Sequence, residues 1–325
     1  MNESNALMAA TIPVVDFGPF LDGSGRPAVA DAIRHAAESI GFFYLANHRL
    51  PVASLERAFS VSRQFFELPV EQKRAIKINR FHRGYVPLDD VRYREEFAPN
   101  HNESLFVGLP LAADDPAVTA EGSMHGPNRW PDSMPPLREA LEHYHAEVSA
   151  LGARVLEACA MALGESEIFF KRYYTKPATF VRTIRYPNQP DPRPDNQYGA
   201  GPHSDYGCIT LLAQDDAGGL QVQAPDGTWI DAPSLPGTFV VNIGDMLMRW
   251  TNDRWKSTVH RVINRSGRYR QSIAAFIDPD HDARVECLAS CCDASHPPKY
   301  EPITQGEYLK QLYDRTYAYR RQAAV

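Results

Sequence analysis

Downstream of residue 178 the chain changes period, and no other feature constrains the fold as much. Eight short runs follow one another: FVRTIRYP, CITLLAQD, GLQVQA, TWIDAP, TFVVNIG, STVHRVIN, QSIAAFID and ARVECLA. Each is bounded by Gly, Pro, Asn or Asp and is β-patterned. Strands packed this densely along a chain, with turn residues between them, make an antiparallel barrel or a jelly roll.

Upstream, helical spacing dominates. TIPVVDF and GFFYLAN read as strands, and between them Val29, Ile33, Ala36, Ala37 and Ile40 share one helical face, with Pro27 near its start and Gly41 just past its end. Leu55, Phe59, Ser62 and Phe66 repeat that spacing, whereas residues 80 to 130 look irregular and suited to a binding surface. From Pro136 to about Leu163 one long helix is expected, with Leu137, Leu141, Tyr144, Val148, Leu151, Val155 and Cys159 at three- and four-residue steps. Thr304 and Glu307 form a capping box ahead of a tail helix. The expectation is an α+β chain, mainly β: a jelly-roll core framed by N-terminal helices, one central helix and a C-terminal helix. Residues 1–130 are the N-terminal helix and strand region, 131–178 the supporting helix region, 179–290 the catalytic core and 291–325 the C-terminal lid, in one integrated unit.

Apolar residues make up 43% and charged residues 23% of the chain, as in globular proteins. A net charge of −6 argues against nucleic acid or an acidic membrane as partner. The opening MNESNALMAATIPVVDF lacks the basic start and apolar core of a secretion signal. Cys159, Cys208, Cys287, Cys291 and Cys292 are odd in number and lack paired spacing, which fits a reducing cytoplasm. The adjacent Cys291 and Cys292 read as plain thiols, with a redox or metal role as the alternative.

The chemistry points to GPHSDYGCITLL. If His203 to Leu212 is extended, His203 and Asp205 face the same side. His260, flanked by Val259 and Val262 in WKSTVHRVIN, is the best third ligand, and two histidines with one carboxylate make the facial site of a non-heme Fe(II) oxygenase. His143 and His145 in HYHAE lie two residues apart on a helix, so they diverge, and solvation is expected. In RQSIAAF, Arg270 and Ser272 share a strand face, and an inward arginine beside a serine suits a carboxylate.

These residues resemble the 2-oxoglutarate and Fe(II)-dependent dioxygenases of the isopenicillin N synthase-like family, whose signature is HxD, a distant H, and RxS. IPVVDF, GFFYLANH, FFELPVEQK, GYVP, NESLFVG, NRWP and GDMLMRWTNDRWKSTVHRV resemble family landmarks in order. The resemblance implies a double-stranded β-helix (jelly-roll) core. It makes His203, Asp205 and His260 the catalytic iron ligands, with Arg270, Ser272 and Tyr186 binding 2-oxoglutarate. It further implies Fe(II) as cofactor, 2-oxoglutarate and O2 as co-substrates, ascorbate as an auxiliary reductant, and succinate and CO2 as products beside a hydroxylated, desaturated or cyclised substrate. Two positions depart from the family: Ile184 stands where many members have asparagine, and Arg49 where a glycine is usual.

The expected substrate is a small, partly hydrophobic organic molecule, in a pocket drawn from Tyr85, Val86, Phe106, Cys208, Leu220, Met248, Phe276 and the tail helix. Arg83, Arg92 and Arg94 either hold an acidic group on it or form a solvated loop. The protein is expected to be a monomer or a weak homo-oligomer. Three alternatives stay open at this level: an Fe(II) oxidase of the same family that does not use 2-oxoglutarate, a non-catalytic jelly-roll binding protein, and a zinc hydrolase.

Overall fold

The computed structural model describes residues 12–88, 90–120, 124–189, 194, 196–317 and 320. The opening residues weighed as a secretion signal therefore lie mostly outside it, as do the last residues of the tail.

The strands are β1 (Val14–Asp16), β2 (Phe42–Ala46), β3 (Gly84–Val86), β4 (Glu103–Gly108), β5 (Phe180–Tyr186), β6 (Ala200–His203), β7 (Ile209–Gln214), β8 (Leu220–Gln223), β9 (Trp229–Asp231), β10 (Phe239–Ile243), β11 (His260–Val262), β12 (Arg270–Ile277), β13 (Arg284–Val285) and β14 (Ile303–Thr304). The helices are α1 (Gly18–Asp22), α2 (Arg26–Ser39), α3 (Val52–Glu67), α4 (Val70–Ala75), α5 (Pro116–Thr119), α6 (Pro135–Ala162), α7 (Asp245–Trp250) and α8 (Gln305–Thr316).

Two sheets make the core. The larger has the order β1-β2-β10-β7-β12-β5-β4-β3, and the smaller is β6-β11-β8-β9. Strands from the N-terminal region and from the later β-rich region thus share one sheet, antiparallel except for the β1–β2 pair. The segment expected to be irregular supplies β3 and β4, which extend that sheet beyond β5. The last of the eight runs contributes only the two residues of β13, paired with β14.

On one side α6 packs across the sheet, with α2 and α3 against it. Its Leu137, Leu141, Tyr144, Val148 and Val155 are each fully buried, and an aliphatic side chain so placed contributes about 1.5–3 kcal/mol. His143 on this helix is exposed and faces Glu147 at 3.3 Å. His145 is not solvated as expected. It is buried, its Nε2 lies 3.1 Å from the Thr179 carbonyl, and burial pushes its imidazole down to about 4. At the other end α8 begins with the expected capping box between Thr304 and Glu307. Among the described residues, no helix is long and apolar enough to cross a membrane.

Candidate metal centre and its two cavities

β6 and β11 pair with His203 opposite His260, so strand register alone sets the imidazoles side by side, ring centroids 4.4 Å apart. The expected continuous strand from His203 to Leu212 does not form. β6 ends at His203, residues 204–208 turn, and the chain crosses from the smaller sheet to β7 of the larger. Asp205 reaches the histidines from this turn, not by strand alternation. The turn is tightly held, since the Asp245 N–H donates to the Asp205 carbonyl at 2.8 Å. A Cβ on Gly207 would lie 1.6 Å from Asp278 Oδ1, and one on Gly244 would lie 2.3 Å from the Gly207 carbonyl oxygen. A side chain at either position would push Asp205 out of line.

Hydrogen bonds leave one atom of each residue facing the others. His203 Nδ1 is 2.7 Å from the Gly201 carbonyl and His260 Nδ1 is 3.2 Å from that of Thr258. A carbonyl only accepts, so each Nδ1 carries the proton and each Nε2 presents a lone pair. Thr210 Oγ1 and Asn242 Nδ2 donate to Asp205 Oδ2 at 2.6 and 2.8 Å. That leaves Oδ1 facing His203 Nε2 at 3.8 Å and His260 Nε2 at 3.7 Å. Among the described residues, this is the one group of His, Cys, Asp or Glu whose ligand atoms converge in this way, all within 4.8 Å.

Electrostatics favour the same protonation states for His203 and Asp205. Burial pushes His203 down to about 3, which keeps it neutral. Burial acts to raise Asp205, but His260, His203, Thr210 and Asn242 outweigh it and hold the carboxyl below its usual value. Two neutral imidazoles and one carboxylate, with the remaining directions open to a cavity, fit a divalent first-row metal such as Fe(II).

Two cavities meet at this group. The inner one, about 540 Å³, lies between the sheets and ends at Arg270, with Tyr186, Ile184, Leu220 and Phe276 in its walls. Arg270 is wholly buried and, among the described residues, has no carboxylate partner: Nε donates to the Gly218 carbonyl at 2.7 Å, Nη1 to Ser272 Oγ at 3.3 Å and Nη2 to Gln214 Oε1 at 2.8 Å. Tyr186 stands opposite Arg270 in the β5–β12 register, with the guanidinium 4.6 Å over its ring. Where many family members have asparagine, Ile184 offers this cavity only hydrocarbon.

The outer cavity, about 410 Å³, is walled by Phe106, Phe276 and Asp278, together with Leu309, Tyr313 and Tyr317 from the tail. Of the expected pocket residues, Phe106, Leu220 and Phe276 therefore line one cavity or the other. Tyr85 points to the opposite face of β3, where its hydroxyl donates to Glu103 at 2.6 Å. Val86 packs behind Phe106, Cys208 is buried in the main core, and Met248 lies on α7 outside both cavities. Arg83 is buried against the Phe180 ring, and Arg92 and Arg94 are exposed. None of the three arginines lines either cavity.

Among the cavity residues that went unnoticed in the sequence, Arg182 and Tyr93 stand nearest the chemistry. Arg182 lines both cavities, and strand alternation places it on the same face as Ile184 and Tyr186. Tyr93 stacks on His203, 4.1 Å between centroids and 11° between planes. It lies in the irregular segment, where no periodicity marks it.

Comparison with known proteins agrees with this geometry. Residues 12–133 match the family model described as "non-haem dioxygenase in morphine synthesis N-terminal", and residues 170–279 match that of the 2OG-Fe(II) oxygenase superfamily. The chain is 40% identical to the 2-oxoglutarate-Fe(II) type oxidoreductase hxnY of Emericella nidulans, over 98% of this chain and 95% of that one. It is 34% identical to a homoarginine-6-hydroxylase of Glycine max, covering 86% of this chain and 88% of that one. The crystal structure of a full-length Neurospora crassa protein in complex with alpha-KG and thymine superposes with a TM-score of 0.84 at 32% identity, covering 97% of this chain and 99% of that one.

Proposed function

The chain belongs to the 2OG-Fe(II) oxygenase superfamily and is a 2-oxoglutarate-dependent Fe(II) oxidoreductase, and from that premise we propose how its residues divide the work. His203, Asp205 and His260 hold the iron. Arg270 pairs with the distal carboxylate of 2-oxoglutarate, Ser272 fixes the guanidinium, and Tyr186 supports it from below. One observation carries this reading: three ligand atoms left free by their neighbours' hydrogen bonds face a cavity whose far end is a buried arginine with only neutral partners.

Bound Fe(II) supplies the redox chemistry that couples decarboxylation of 2-oxoglutarate by O2, giving succinate and CO2, to oxidation of a substrate C–H bond. The chain supplies position and charge. Thr210 and Asn242 fix one Asp205 oxygen so that the other points at the metal position. The carbonyls of Gly201 and Thr258 hold each imidazole in the tautomer that binds metal. The aromatic walls and the tail helix shield the reacting carbon from water. Hydroxylation of a small organic molecule in the outer cavity is the outcome we assign. The five unpaired thiols and the acidic net charge favour a cytoplasmic monomer or weak homo-oligomer that does not act on nucleic acid.

Anaerobic titration of the protein with Fe(II) and 2-oxoglutarate tests the assignment. A visible charge-transfer band is expected for the wild type and none for His203→Ala. Absence of the band in the wild type refutes it. A screen of small molecules for succinate release then identifies the substrate.

A further inference from the structure

Arg182 stands where the two cavities meet, and the division of work above leaves its charge unused. The residue is 5% exposed. Nε donates to Ser104 Oγ at 3.0 Å and Nη2 to Asn102 Oδ1 at 3.3 Å, and Tyr93 shares a further hydrogen bond. All three partners are neutral, and among the described residues no carboxylate stands within ion-pair distance. A buried cation without a counter-ion is costly. Arg270 has the same arrangement, and there a bound dianion supplies the missing charge.

The surroundings define the rest of the ligand. Tyr93, Phe106, Tyr206, Phe276, Tyr313 and Tyr317 surround the outer cavity. Arg182 lies 5.0 Å over the Phe106 ring, so the cation and the aromatic wall form one surface. Tyr206 is anchored by a hydrogen bond with Thr316 Oγ1 at 2.9 Å, and it packs on Tyr313 at 5.9 Å between centroids. Six aromatic rings around a space of this size suit a flat ring better than a branched chain.

We propose that the outer cavity takes a small aromatic or heteroaromatic carboxylate, its anionic group paired with Arg182 and its ring among the six aromatic side chains. The inference rests on the reading that the inner cavity belongs to 2-oxoglutarate. Because Arg182, His203 and Asp205 line the same walls, the carbon presented for oxidation lies on the ring or on a substituent close to the carboxylate. Arg182 thereby sets both which molecule enters and which carbon reacts.

Calorimetry on the full chain, loaded anaerobically with Fe(II) and saturated with 2-oxoglutarate, tests this without turnover. The probes are benzoate, 2-furoate and indole-3-carboxylate, with benzamide and thymine as neutral rings and cyclohexanecarboxylate as the non-aromatic acid. At least one ring carboxylate is expected to bind the wild type. Its affinity is expected to fall about 30-fold in Arg182→Gln and to be partly restored in Arg182→Lys, with 2-oxoglutarate affinity changed less than about threefold in both. That retained affinity shows that the variants fold. Benzamide, thymine and cyclohexanecarboxylate are expected to bind at least about tenfold more weakly than that carboxylate, with the neutral rings indifferent to the substitution.

Three results overturn the proposal while leaving the inner-cavity reading intact: no ring carboxylate binds although 2-oxoglutarate does, Arg182→Gln binds the carboxylate as tightly as the wild type, or a neutral ring binds equally well. If the wild type fails to bind 2-oxoglutarate at all, the inner-cavity reading falls and takes this inference with it.

Discussion

Arg182 and Arg185 lie three residues apart on β5 and face opposite sides of the sheet, and their surroundings differ in kind. On one face, the Arg185 guanidinium, Lys73 and the Tyr85 hydroxyl all converge on the Glu103 carboxylate, with Lys73 Nζ at 2.7 Å and Arg185 Nε at 2.7 Å. Both cations there share the Glu103 carboxylate as counter-charge. On the other face, Arg182 and Arg270 are buried among neutral acceptors only. A set that closes on itself serves the fold, whereas buried cations left without anions are where the proposed ligands would find their counter-charge. The difference is the physical ground on which Arg182 and Arg270 are proposed to meet ligands and Arg185 is not.

The largest effect comes from breaking the closed set. Glu103→Gln leaves the buried Lys73 and the half-buried Arg185 without their anion, a loss of about 3–5 kcal/mol. Thermal denaturation of that variant is expected to shift down by roughly 6 °C, while the surviving folded protein binds 2-oxoglutarate as the wild type does. Equal stability of variant and wild type would erase the distinction drawn here. Next comes Arg270→Gln. Loss of a charge-assisted carboxylate pair weakens 2-oxoglutarate by about 100-fold. Its melting temperature is expected to stay within about 3 °C of the wild type, because a buried charge lacking a counter-ion leaves with the side chain. A large drop in melting temperature with unchanged 2-oxoglutarate affinity would reverse the assignment.

The contrast between the two faces was only partly legible in the sequence. His203, Asp205, His260, Arg270, Ser272 and Tyr186 stood out because residue type and order in the chain mark them; five of them line one inner cavity, and Ser272 accepts a hydrogen bond from Arg270 at 3.3 Å. The long helix and most strands were legible because their apolar periods are long or sharply bounded. What escaped depended on tertiary pairing. β3 and β4 are short segments whose strand character comes from pairing beside β5. The turn at 204–208 is set by backbone approach at Gly207 and Gly244, which no local pattern announces. His145 is buried because Thr179 offers it a carbonyl from far along the chain. Arg182 could have been found by extending the alternation of Tyr186 and Ile184 one step further. Its lack of a counter-ion, which makes it informative, could not.

A smaller effect concerns Asp278, which shares the outer cavity with Arg182. Burial is the main cause that raises its carboxyl to about 7 from an ordinary 3.8, and the Cys208 N–H, which donates to it at 3.1 Å, opposes the rise. Between these values the folded state holds a proton that the unfolded chain has released. This group's contribution to stability is therefore full below about pH 4 and declines as pH rises toward 7. Asp278→Asn is expected to flatten that part of the stability–pH profile, measured by denaturant unfolding between the two values. An unchanged slope would mean that Asp278 is ionised in the fold, leaving the outer cavity with an anion that competes for Arg182.

The smallest effect involves a third arginine, one that belongs to neither face. Arg49 occupies the position where the family usually has glycine, and its φ is 59°, in the left-handed region. It faces Asp22 across 3.4 Å, with both side chains about half exposed. An exposed pair of this kind contributes at most about 1 kcal/mol and often nothing measurable, whereas a non-glycine residue in left-handed backbone costs about 1–2 kcal/mol. Glycine removes that strain but adds freedom to the unfolded chain, a penalty of about 0.5–1 kcal/mol. The balance favours Arg49→Gly by roughly 0.5 kcal/mol. A rise in the denaturation midpoint that grows by more than about 1 kcal/mol when the pair has already been removed by Asp22→Asn would show that the ion pair had been carrying more than exposure suggests. A rise that persists in the Asp22→Asn background is the expected outcome. It would confirm that an arginine paired in water contributes little, and that burial is what makes the lack of a counter-ion decisive at Arg182 and Arg270.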